Sequence, residues 1–240
     1  MKTALILSGQ PRSVEKTFPL IKQHILDINQ PDVFIHTWRD DRLCGRSPVS
    51  SGGVVASDPI PENINEIILN LYNPVAIKIE RPIEFNEFNF NDNKYPQIKP
   101  KNSLSQRYSV RESFKLLLDH AAWTDTTYDY VIRMRFDWAI QMDIDVTTLP
   151  TDTITTPNDC PHQGGLNDQF AVAPQHLMLH YVQLFDQIPR LFSYGVPFCD
   201  EILLGEHLRS ANIVANAIPI PYTIQRSSTG VTNILHTDVI

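Results

Sequence analysis

A single α/β domain, with a mostly parallel central sheet flanked by helices, is predicted for residues 1–240. Three observations lead there. The first half alternates short apolar runs with helical periodicity in a βαβα order, which implies parallel strands joined by crossovers. The chain is long enough for one substantial core. No internal repeat or change of composition divides it.

Residues 4–7 form a short apolar strand, closed by the turn Ser8-Gly9-Gln10-Pro11. Ser13 is placed to cap a helix over 14–28, with Phe18, Ile21, Ile25 and Ile28 on one face. A second strand over 32–35 runs out at His36-Thr37-Trp38, and residues 47–58, with Ser-Ser-Gly-Gly, read as a mobile loop. Pro61 opens a helix through 72, and a third strand follows over 75–79. Residues 85–101, rich in Asn, Pro and aromatics, form a long surface excursion before a helix from 102 or 103 to 123. The fourth strand covers 128–135. Beyond it lie a Thr-rich stretch, a strand at 169–173, a helix after Pro174, a helix at 198–210 and a strand at 213–218.

Composition narrows the function classes. A net charge of -7 argues against a nucleic-acid backbone as the main partner, since such binders concentrate Lys and Arg. Cys44, Cys160 and Cys199 are widely spaced and show no zinc-ligand spacing, so neither a disulfide framework nor structural zinc is expected. There is no glycosylation sequon, the N-terminal apolar run is too short for a signal peptide, and no stretch is long enough for a transmembrane segment. A cytoplasmic protein is expected.

Ligands of open α/β sheets bind beyond the carboxyl ends of the strands. The most unusual strand end is Arg133-Met134-Arg135-Phe136-Asp137. Alternation puts Tyr130, Ile132, Met134 and Phe136 on one face and Arg133, Arg135 and Asp137 on the other. Two guanidinium groups and a carboxylate on a buried strand are costly without partners. They have two readings: an anionic ligand satisfies them, or they form an Arg–Asp pair that ties strand to loop.

The segment 128–137, Tyr-Asp-Tyr-Val-Ile-Arg-Met-Arg-Phe-Asp, resembles the strand leading into the DxD motif of GT-A glycosyltransferases, which have a Rossmann-like fold. With Leu5 to Arg12, Asp32 to Trp38 and Asn167 to Val172, it is similar in order to a group of polysaccharide-assembly glycosyltransferases. The resemblance implies a nucleotide-sugar donor, a glycan acceptor and Mn²⁺ or Mg²⁺ held by acidic residues. This chain has Arg135 at the first acidic position and Asp137 at the second. Either Asp137 holds the metal with help from elsewhere, such as His236, or Arg133 and Arg135 replace the cation on the leaving diphosphate.

Around that centre the candidate donor-binding residues are Ser8, Gly9, Gln10 and Arg12 after the first strand, and His36 with Trp38 after the second. Gln106, Arg107 and Arg111 on the long helix and Asn167 in the loop 164–169 complete the set. Each has an ordinary alternative: a βα turn, a hydrogen-bonded core histidine, a solvated helix face, or turn chemistry. Asp168, Asp200 and Glu201 are the candidate bases, and acidic residues at 200 and 201 also suit a helix N-terminus. Asp143-x-Asp145 reads as a solvated face. An inactive nucleotide-sugar-binding protein is the main rival. A sulfuryl or phosphoryl transferase is the lesser one, because no lysine-bearing phosphate loop is present.

Overall fold

The computed structural model describes residues 1–46, 58–85, 94–95, 98–227 and 230–232, with 226–227 and 230–232 described by backbone alone. The expected architecture is present: one α/β domain of Rossmann-like form around a seven-stranded sheet. Its strands are β1 (Thr3–Gly9), β2 (Asp32–Trp38), β3 (Ala76–Glu80), β4 (Tyr130–Arg135), β6 (Ile154–Pro157), β7 (Phe170–Pro174) and β8 (Ala215–Ile218), in the order β3-β2-β1-β4-β7-β6-β8. Strand β7 alone runs against the others. A second, three-stranded sheet pairs β5 (Trp138–Ile140) with β9 (Tyr222–Ser227) and β10 (Gly230–Thr232).

Both faces of the central sheet are covered, which is why its inner strands read as nearly continuous apolar runs. Leu5, Leu7, Ile35, Ile132 and Met134 point to one core, shared with α1 (Val14–Ile21), α3 (Ile64–Tyr72) and the small sheet. Ala4, Ile6, Phe34 and Val131 point to the other. There lie α4 (Pro100–Thr124), α5 (Gln175–Val182), α6 (Leu184–Ser193) and α7 (Asp200–Ser210). Each fully buried Leu or Ile contributes about 1.5–3 kcal/mol, so the paired cores dominate stability.

Several boundaries differ from expectation for physical reasons. Ser13 does not cap α1 with its side chain; it sits at φ 54°, and its hydroxyl donates to the Gln225 carbonyl at 2.9 Å, tying the helix start to β9. The expected helix over 14–28 is one rod of changing pitch. Pro19 lies inside α1, a π turn spans Lys22–Leu26, and α2 (Asp27–Asn29) ends it. The Thr-rich stretch contains β6, and β5, β9 and β10 have no counterpart in the periodicity. Residues 47–57, His236 and most of 86–97 lie outside the described residues.

Candidate functional site

Chain order reverses between β1 and β4, so the crevice at their carboxyl ends is the expected ligand position. A cleft of about 280 Å³ opens there, lined by Ser8 and Gly9 at the end of β1, Gln10 and Arg12 just after it, Arg135 at the end of β4 and Asp137 just after it. Trp38 closes one side; Asn102, Ser105 and Gln106, from the first turns of α4, close another.

Register explains how the charges arrive. In parallel strands, paired residues project to the same face, and the pairs Lys78–His36, His36–Ser8 and Ser8–Arg135 make one polar row across the sheet under α4. One row deeper, Arg133 stands between Ile6 and Ala171, whose small side chain leaves room for a guanidinium. Because β7 is antiparallel to β4, the loop entering β7 lies at the carboxyl end of β4. That reversal brings Asp168 onto the arginines.

Arg135 grips Asp137 side-on, Nε to Oδ1 at 2.8 Å and Nη2 to Oδ2 at 2.6 Å. The Asp137 carbonyl accepts from Gln225, and Trp138 stacks between Phe170 and Tyr222 with centroids at 4.6 and 4.3 Å, so this turn is rigidly held. Arg133 is fully buried and donates through Nη1 to the Asp168 carbonyl. Its Nε and Nη2, with Arg107 Nη1 and Ser8 Oγ, have no hydrogen-bond partner among the described residues. Each orphaned donor costs about 1–3 kcal/mol, and of these residues Ser8 alone lines the cleft.

Behind the cleft, Arg107 bridges Asp168 Oδ2 and Asp200 Oδ1, both at 3.3 Å, and also donates to the Asp200 carbonyl at 3.1 Å. Gln106 links this pair to the cleft by donating to Asp168 Oδ2 at 2.6 Å. Ser103 donates to the other oxygen of Asp200. Arg107, Arg133 and Arg135 thus face Asp137, Asp168 and Asp200, a set of balanced formal charge.

Burial opposes every charge here, and the balance differs by residue. For Arg107, burial is outweighed by Asp168, Tyr181 and Asp200, and its pKa rises. Arg135 rises too, since Asp137 outweighs burial. Arg133 has only a carbonyl acceptor, and burial lowers it. Burial pushes Asp200 up to about 6, against Arg107 and with the help of the neighbouring Asp168 charge. Stability contributed by its protonation is therefore present below the unfolded carboxylate value of 3.8 and lost as pH rises through about 6. Wild type is expected to lose stability across that window. Asp200→Asn, which cannot ionise, is expected to flatten the slope; denaturant midpoints between pH 4 and 7 check it.

Other expected residues are placed elsewhere. His36 is fully buried with both ring nitrogens occupied, by Ser109 at 2.7 Å and Glu80 at 2.8 Å, and burial lowers its pKa. It braces β2 against α4 and does not line the cleft. Arg111 points to α6, donating to Asp186 at 2.7 Å and lying over the Phe185 ring. The Gly9 amide, expected to approach a nucleotide, donates to Ser109 at 2.8 Å; φ of 108° rather than crowding selects glycine there. Asn167 organises its own loop, donating to Asp159 and Tyr222 and accepting from the Gln169 amide. Glu201 accepts from the Cys199 thiol at 3.1 Å. Asp143 pairs with His24, and Asp145 caps a short 3₁₀ turn, away from the cleft.

No protein-family model matches the chain, and no curated protein matches it. No helix among the described residues is long and apolar enough to cross a membrane.

Of the residues implied for a divalent cation, Asp137 is among the described residues and His236 lies outside them. Both oxygens of Asp137 engage a guanidinium, and the position that would supply a second carboxylate supplies that guanidinium. The described residues at this strand end thus offer one carboxylate, paired with one guanidinium, where Mg²⁺ and Mn²⁺ favour several oxygens. Asn102, Ser105 and the cleft-facing role of Trp38 complete the lining. The signal for the first two was the i, i+3, i+4 spacing of Asn102, Ser105 and Gln106 on one helical face.

Proposed function

We propose that the chain is a glycosyltransferase that moves a sugar from a nucleoside-diphosphate donor to a glycan hydroxyl. The observation that carries this reading is the arginine-lined cleft at the reversal of strand order, with Arg12 and Arg135 on its walls. A guanidinium matches diphosphate oxygens in shape and charge.

The acceptor oxygen attacks the anomeric carbon, the bond from that carbon to the diphosphate oxygen breaks, and the hydroxyl proton passes to a carboxylate. Arg135 and Arg12 take the charge that develops on the leaving diphosphate. Removing one such donor from an enzyme site typically costs about 10²–10³ in kcat. Asp168 is the proton acceptor in this scheme; Gln106, which lines the cleft and donates to its Oδ2, turns aside so that the acceptor hydroxyl reaches the carboxylate directly. Asp200 and Arg107 fix the position of Asp168. Three free cysteines and no disulfide among the described residues support the reducing cytoplasm as its location.

Incubation with a panel of nucleotide sugars and glycan acceptors tests this, with the released nucleoside diphosphate and the extended glycan followed by mass spectrometry. One donor is expected to turn over. Tight binding of a donor with no transfer to any acceptor would favour the binding-protein reading, and binding of none would remove both.

A further inference from the structure

The loop before β7 and the start of α7 bring together donors that are remote in sequence. The ligating atoms of His162, Cys199 and Glu201 all lie within 4.8 Å of one another. Cys199 is fully buried immediately before α7, Glu201 sits in its first turn, and His162 comes from the loop, with its ring edge-on to Tyr95 at 5.2 Å. The Cys199 thiol donates to Glu201 Oε2 at 3.1 Å, so one proton lies between two groups that a dication would bridge. The contact is close-packed: a Cβ on Gly165 would stand 2.8 Å from Cys160 Sγ and 3.0 Å from Glu201 Cβ.

Chemistry selects the ion. One imidazole, one thiolate and one carboxylate make a mixed N, S and O set that suits Zn²⁺ and is a poor match for Mg²⁺ or Mn²⁺. Ligand atoms of a tetrahedral zinc site stand about 3.5 Å apart, so side-chain rotations of about 1 Å complete the set. We propose that His162, Cys199 and Glu201 bind one Zn²⁺ ion, which clamps the loop entering β7 onto the first turn of α7. Three protein ligands leave the fourth position to water. The clamp is separate from the arginine-lined cleft but shares its supports, since Asp168 belongs to the clamped loop and Asp200 to the clamped helix.

The test uses the full chain freed of metal with chelator, titrated with Zn²⁺ by calorimetry and with Co²⁺ by absorption. One equivalent of each is expected, and the Co²⁺ complex should show a thiolate-to-metal band in the near ultraviolet. Zn²⁺ at 100-fold above Kd should raise Tm by about 5–10 °C. Cys199→Ser and His162→Ala should each weaken binding by at least about 10-fold, while Cys44→Ser should not. No stoichiometric uptake, a Co²⁺ spectrum without the thiolate band, or unchanged binding in both variants would overturn the assignment. The wild-type cobalt spectrum decides even if a variant fails to fold. Neither outcome bears on donor binding, which is read separately on chelated protein.

Discussion

Arg135→Ala is expected to lower transfer by about 10²–10³-fold, mostly in kcat, because the lost guanidinium acts on charge that develops as the diphosphate leaves. The variant also removes the Arg135 charge from Asp137, which is only 3% exposed, beside the departing anion. Repulsion between the two adds to the loss. Arg135→Lys keeps the charge but not the fork that grips Asp137 at two oxygens, and should recover only part of the rate. Steady-state kinetics with the donor selected from the panel make the comparison. A kcat/KM for Arg135→Ala within threefold of wild type would remove Arg135 from the mechanism.

Arg107→Met is expected to be the most destabilising single change at the site. It leaves the buried Asp168 and the partly buried Asp200 near each other with their shared cation gone. Breaking a buried pair from one side costs about 3–5 kcal/mol. In a chain of this size that corresponds to a Tm lower by roughly 6–20 °C. Arg107→Met combined with Asp168→Asn and Asp200→Asn should recover much of the loss, because no uncompensated charge remains. Denaturant unfolding of the single and triple variants measures both. A loss below about 1 kcal/mol for the single variant would show that the cluster is screened by solvent.

Much of this arrangement was legible in the sequence, and the reasons are specific. Alternation along β4 placed Arg133 and Arg135 on one face because a strand's period of two is unambiguous when the opposite face is apolar, whereas Asp137 lies in the turn beyond the strand. The alternating first half fixed the four parallel strands, since each had its own helix to pack against. What stayed hidden depends on pairing across long separations. Strand β5 is three residues long and becomes a strand only through β9, more than eighty residues later. Gly164 and Gly165 suit turn chemistry, yet a Cβ on Gly205 would lie 2.3 Å from the Gly164 carbonyl oxygen, and one on Gly165 would press on Glu201. Their neighbour is α7. Spacing rules missed the His162, Cys199 and Glu201 cluster because two distant segments build it. His36 and Arg111 carried the right residue types at a strand end and on the helix. Which way each side chain points was decided by Glu80, Ser109, Asp186 and Phe185, none of which local pattern could assign.

Under the proposed function, arginine and not a divalent cation is expected to neutralise the diphosphate in the cleft between β1 and β4. Calorimetric titration of wild type with nucleoside diphosphates, in excess chelator and again with Mn²⁺, tests it most directly. Binding of equal affinity under both conditions, lost in Arg135→Ala, is the predicted result. Binding that appears only with Mn²⁺, and survives in Arg135→Ala, would contradict it.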